Sequence, residues 1–158
     1  MEKILNSVHK IRFQDCDPFN HLNNSKYLEY FINAREDQIE KHYNLDIFKH
    51  TKTTGHSWVV GSNQIAYLRP AKIMESVLIK SKLFAFNEHS LDVEMHMYDK
   101  NGEELKSVFW TKLFYVNIQS GKLAPHPEQL MDLFATVMLP NEEQSFEQRS
   151  YKLRKSYN

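Results

Sequence analysis

Cysteine is almost absent: Cys16 is the single one in 158 residues. No intrachain disulfide can form, and a reducing compartment is the simpler reading. Glycine is nearly as scarce, with four in all. That leaves little room for a glycine-rich phosphate loop, and no Gly-x-Ser-x-Gly elbow occurs. Neither sign of charge is in excess, since 20 Lys and Arg face 20 Asp and Glu. A broad nucleic-acid surface needs a basic surplus, so that partner class is set aside, while a local patch for a phosphorylated ligand stays open. No apolar run approaches the ~18 residues of a membrane span. Residues 1–10 are too broken by charge for a secretory signal. Eight histidines invite a metal, yet none forms His-x-x-x-His and the cysteine has no second beside it. A soluble cytoplasmic chain with no metal, no cofactor and no membrane partner is the expectation.

What is present suits one packed domain: 41% hydrophobic and 13% aromatic residues. Alternation predicts a strand over 7–14, with Val8, Lys10 and Arg12 on one face and His9, Ile11 and Phe13 on the other. Pro18 then stops regular structure. Asn23 or Asn24 is a good helix N-cap, and neither proline nor glycine interrupts 24–43. Tyr30 and Ile32 widen the apolar arc of that helix, which predicts enclosure on more than one side. Residues 44–55 read as a polar connection with room for a helical turn. Strands are expected over 58–68, 75–86, 91–98 and 104–118, with turns at Arg69-Pro70, Asn87-Glu88 and Asn101-Gly102. Residues 91–98 alternate strictly, as a half-buried strand does. A short helix should follow Pro127, and 141–158 should form a surface helix or a loose tail. The division expected is a domain over 1–140 and a polar tail over 141–158. The fold class is α+β: a curved antiparallel sheet of about five strands wrapped around one long central helix. Its exposed edge invites a second copy.

The densest chemistry lies in Asp15-Cys16-Asp17-Pro18-Phe19-Asn20-His21-Leu22-Asn23-Asn24-Ser25-Lys26-Tyr27. Two carboxylates, an imidazole and two amides stand directly before a helix, whose N-terminal amides can hold a developing oxyanion. The run resembles the hotdog-fold thioesterases of the 4-hydroxybenzoyl-CoA thioesterase type. Many of these carry Asp-x-Asp-x-x-x-His-x-Asn-Asn-x-x-Tyr, matched here at Asp15, Asp17, His21, Asn23, Asn24 and Tyr27. The resemblance spans roughly 8–127 and implies an acyl-CoA thioester hydrolase acting as a homodimer or a tetramer of paired dimers, with acyl-CoA as the substrate partner.

The resemblance also implies roles. Asp17 matches the catalytic aspartate, as nucleophile or general base, although an aspartate before proline is also an ordinary turn former. The Asn24 backbone N–H matches the oxyanion donor. His21 is open to orienting Asp17, binding the carbonyl or protonating the leaving thiolate. Asp15 is expected to orient the loop through backbone amides. Asn23 and Asn24 are caps worth roughly 1 kcal/mol, and Tyr27 belongs to the core or the acyl pocket. A second stretch, 59–71, ends in Tyr67-Leu68-Arg69-Pro70, a Tyr-x-x-Pro pattern that many members share. In the family this strand borders the substrate pocket, which makes Ser62 and Asn63 candidate contacts, and Gly61 marks a bulge or a close approach. Arg69, Lys72, Lys80, Lys82 and Lys112 are cations available to coenzyme A phosphates. The alternatives are an acyl-carrier-protein thioesterase and a non-catalytic acyl-CoA-binding hotdog protein.

Overall fold

The computed structural model describes residues 1–156. Five strands form one antiparallel sheet: β1 (Leu5–Lys10), β2 (His56–Tyr67), β3 (Ser76–Phe86), β4 (Ser90–Asp99) and β5 (Leu105–Asn117), in the order β1-β3-β4-β5-β2. The links β3–β4 and β4–β5 are the expected hairpins. The β2–β3 link is not one, because β2 lies at one edge beyond β5 while β3 pairs with β1 and β4. β1 ends four residues before its expected limit. There the chain turns through a 3-10 segment at Phe13–Asp15, with Ile11 fully buried and Phe13 exposed.

Helix α1 (Tyr27–Tyr43) follows a separate 3-10 turn at Asn24–Lys26, capped by Asn23 through Ser25 N–H. Tyr27, Phe31, Ala34, Gln38, Ile39 and Tyr43 are buried, while Glu29, Ile32, Asn33, Glu36 and Asp37 are exposed. Only one face is therefore covered within this chain, narrower than the enclosure its composition predicts. Phe31 stacks on Phe109 of β5 at 5.3 Å, anchoring the helix to the inner face of the sheet. The polar connection contains α2 (Ile47–Thr54), capped by Asp46 and ended by Gly55 in the left-handed region. Helix α3 (Glu128–Val137) follows Pro127 as expected.

The outer face of the sheet is covered as well. β4 is not half-buried: Glu94 and Tyr98, on its polar side, are 1% and 4% exposed. The cover is α4 (Phe146–Ser156), whose Phe146 and Leu153 pack with Tyr98, Leu105 and Val108. Arg149 binds both oxygens of Glu94 (Nε 2.9 Å, Nη2 2.8 Å), and His96 Nε2, Trp110 Nε1 and Asn141 Nδ2 donate to them at 2.9, 2.7 and 3.2 Å. Burial alone raises the Glu94 carboxyl, but these donors together hold it well below the usual carboxylate range. Within the described residues the C-terminal segment is thus a helix tied to the sheet. Tyr157 and Asn158 of the expected tail lie outside those residues.

Gly61 meets both halves of its expectation. The β2–β5 register shifts between Val60 and Ser62, and a Cβ on Gly61 would overlap the Phe114 ring. Gly61→Ala should cost about 1–3 kcal/mol through overpacking, with Phe114→Leu restoring part of it. Urea midpoints of the single and double variants check this, and an unchanged Gly61→Ala midpoint contradicts the close approach.

Candidate active site

The motif folds back on itself as a tight hairpin. Asn23 N–H donates to the Asp15 carbonyl at 2.9 Å, and Asp17 N–H donates to the His21 carbonyl at 2.8 Å. Asn20 makes the reversal at φ 62, a conformation asparagine tolerates. The Asp17 carboxylate is drawn inward on this loop: Oδ1 accepts from Phe19 N–H at 2.9 Å and His21 N–H at 3.1 Å. Asp17 therefore does make a turn, as its residue type suggests, yet only Oδ1 is committed to it. Asp17 lines a cleft with Phe13, Gln14, Cys16, Pro18, Asn20 and Ile73. His21 holds Asp17 through its backbone. Burial and the nearby Asp17 and Asp15 push the Cys16 thiol up, which keeps it protonated rather than nucleophilic.

The return arm of the hairpin runs into the helix start. Asn23 Oδ1 accepts from Ser25 N–H at 3.0 Å, and the Asn23 carbonyl takes Lys26 N–H at 2.8 Å. The Asn24 N–H has no acceptor among the described residues. It is the first amide of the turn that leads into α1, where the peptide dipoles leave partial positive charge.

Two tyrosines that the sequence reading did not single out brace this region. Tyr30 OH, one turn into α1, donates to Asp15 Oδ2 at 2.5 Å and accepts from Arg12 N–H at 3.0 Å. Burial, then the Asp15 hydrogen bond, push its phenol up to about 12. The Asp15 side chain thus holds a tyrosine rather than backbone amides. Tyr67 OH donates to the Asn24 carbonyl at 3.0 Å, and its ring meets Tyr27 edge-on at 5.1 Å. Tyr27 is 2% exposed and its hydroxyl accepts from Ala71 N–H. The Tyr-x-x-Pro stretch carried the signal for Tyr67. The segment after it continues the bracing, with Leu22 N–H on the Ala71 carbonyl and Ile73 N–H on that of Asn20.

Ser62 and Asn63 do not share a surface. Ser62 stands opposite Lys112 on the outer face, and Asn63 opposite Thr111 on the inner face, because neighbours on a strand alternate. Both are exposed on the free edge of the sheet. Of the candidate cations, Lys82 is engaged by Asn141 Oδ1 at 2.6 Å and Lys112 by Asp92 at 3.2 Å.

Beside α1 lies an apolar chamber of about 220 Å3, between the C-terminal half of that helix, α3 and the inner sheet face. Ile32 and Val60, 39% and 50% exposed, stand at its opening. Trp58 forms part of its wall and is fixed by His126, whose Nε2 accepts the indole N–H at 3.0 Å. The other ring nitrogen faces the Asn87 carbonyl at 3.1 Å, so His126 carries its proton on Nδ1 and is neutral. Burial holds His126, His50 and His9 below their ordinary value of 6.5. The folded chain therefore binds fewer protons than the unfolded one as pH falls through that value, and stability drops with it. Tm should fall between pH ~7 and pH ~5, and less steeply in His126→Gln, which keeps an acceptor for Trp58. A flat Tm over that span contradicts the neutral histidines.

The thioesterase-like superfamily model matches residues 11–134. The long-chain acyl-CoA thioesterase FadM of Escherichia coli is 35% identical over 81 residues, which is 51% of this chain and 59% of FadM's length. A DHNA-CoA thioesterase from Staphylococcus aureus superposes with TM-score 0.78 at 17% identity, covering 85% of this chain and 90% of the other. A second S. aureus protein, solved in complex with CoA, gives TM-score 0.79 at 15% identity, with 92% of each chain covered. At these identities the superpositions establish a shared fold, and the family match covers most of the sequence. The chain belongs to the thioesterase-like superfamily.

Proposed function

We infer that this protein hydrolyses acyl-CoA thioesters, releasing a carboxylic acid and free CoA. One observation carries the reading: a carboxylate, Asp17, anchored by one oxygen in a hairpin whose return arm ends at a helix start with a spare amide, Asn24 N–H. Thioester cleavage needs an attacking or water-activating group and a donor for the carbonyl oxygen as charge develops there. Asp17 fills the first role, as nucleophile or general base, and the Asn24 amide the second. His21 assists at the leaving thiolate. Asn23 fixes the helix start, Asp15 and Tyr30 hold the loop, and Tyr27 backs the site from the core. Asn63 contributes from the inner face of the exposed edge strand, whereas Ser62, on the outer face, is left out of the site.

That edge supports a symmetric partner. β2 is exposed from Val59 to Gln64 and, among the described residues, has no strand beyond it at that edge. Pairing two copies there would hide the edge, complete the cover over α1 and give the hotdog dimer; dimers then associate into a tetramer. A cytoplasmic setting fits the lone unpaired thiol. The likeness to a protein solved with CoA supports CoA as the carrier of the acyl group. The test compares one acyl group on CoA and on acyl carrier protein. Free acid released faster from the CoA ester supports the reading, and release from the carrier protein alone overturns the choice of carrier.

A further inference from the structure

The chamber beside α1 is apolar except at a few points. Its 220 Å3 has room for about seven units of water or methylene size. Leu83, Val93, Met95, Leu113 and Leu133 present walls without hydrogen-bonding groups. Arg35 stands in the same wall, half-buried. Its Nη1 donates to Ser81 Oγ at 2.9 Å, and the Tyr43 ring lies 6.0 Å from the guanidinium carbon. Both partners are neutral, and they take only part of five N–H donors. Among the described residues no carboxylate forms an ion pair with Arg35. Glu36 also lines the chamber, but adjacent helix residues project about 100° apart and do not face each other. A guanidinium placed against apolar walls ordinarily has an anion beside it.

Thr111 supplies a second, independent sign. It lies on the sheet wall of the chamber, 5% exposed, and its Oγ1 has no hydrogen-bond partner among the described residues. Buried hydroxyls are normally paired. Two polar groups short of partners on a mostly apolar wall are what an amphipathic guest would satisfy.

We propose that the chamber binds an aliphatic chain bearing a carboxylate, with the carboxylate on the Arg35 guanidinium and the chain along Leu83, Met95 and Leu113. Such a carboxylate has two sources: the far end of an acyl chain still joined to CoA, or a free fatty acid such as hydrolysis releases. The binding claim rests on the chamber and stands apart from the hydrolase reading, while the source arms rest on that reading.

Isothermal titration with octanoate and with octan-1-ol, chains of equal length, tests it. On the wild type, octanoate should bind about tenfold or more tighter than the alcohol, as a charge-assisted pair requires. Arg35→Met keeps the bulk and should erase that difference while leaving octanol binding in place. Leu133→Trp fills the chamber and should weaken both. Octanoate no tighter than octanol on the wild type overturns the proposal, as does a preference that survives Arg35→Met. The wild-type comparison needs no variant, so it holds even if Arg35→Met fails to fold. For the source, a lower KM for suberyl-CoA than octanoyl-CoA, lost in Arg35→Met, assigns the distal carboxylate of a substrate. Competitive inhibition of octanoyl-CoA turnover by octanoate, relieved in Arg35→Met, assigns the free acid. Octanoate binding without any turnover would remove the hydrolase reading and leave this one intact.

Discussion

Asp17→Asn is expected to lower turnover of an acyl-CoA ester by about 10²–10⁴-fold, the span over which a positioned acid or base contributes. The substitution is informative because asparagine keeps Oδ1, the atom that accepts from Phe19 and His21 N–H. The turn survives, and what is lost is the negative charge and the basic oxygen. Asp17→Ala would confound the two, since it also strips two amides of their acceptor at about 1 kcal/mol each. Steady-state kcat, with circular dichroism and urea midpoint on the same preparation, separates chemistry from folding. A near-normal kcat in a folded Asp17→Asn would reduce Asp17 to its turn-forming part.

Arg149→Ala is expected to be the largest loss of stability, about 3–5 kcal/mol. Its partner Glu94 is 1% exposed in the middle of the outer sheet face. Removing one member leaves the other charged and buried, whereas an exposed pair contributes only about 0–1 kcal/mol. The double variant Glu94→Leu, Arg149→Met should recover part of the loss, because the two apolar groups need no partner while His96, Trp110 and Asn141 each lose an acceptor. Urea midpoints report the energies, and hydrogen exchange along α4 reports whether the helix lifts from the sheet. A loss below about 1 kcal/mol would class the pair with surface ion pairs. The linkage has a definite sign. Glu94 is held below its ordinary 4.5, so its contribution is present above that value and lost as pH falls toward the lower folded one. Together with the neutral histidines, this makes the fold acid-labile in two stages, the histidine stage first.

Much of the fold was legible because its signals are local. Helix α1 shows in an unbroken run, β4–β5 in Asn101-Gly102, and the cap in Asn23, each readable within a few residues. The strand order was less so. Arg69-Pro70 looks like any hairpin turn, yet the chain crosses from one edge of the sheet to β3, since β5 claims β2. Glu94 misled for the same reason. A glutamate alternating with apolar residues reads as solvated, and its partner Arg149 lies 55 residues downstream. At the site, the motif marks Asp17 and the helix start. It does not mark Tyr30 or Tyr67, whose hydroxyls reach across the fold to Asp15 and to the Asn24 carbonyl. Nor does it mark Arg35, whose place on a helix face looks like ordinary periodicity until the chamber beside it is seen.

The most direct test of the central claim is the initial rate of free-thiol release from octanoyl-CoA by the purified wild-type protein, with Asp17→Asn measured in parallel. Thiol release by the wild type, falling by about two orders of magnitude or more in the variant, is the predicted result. No release from octanoyl-CoA or from any other acyl-CoA in a graded series, with the protein folded, would contradict it.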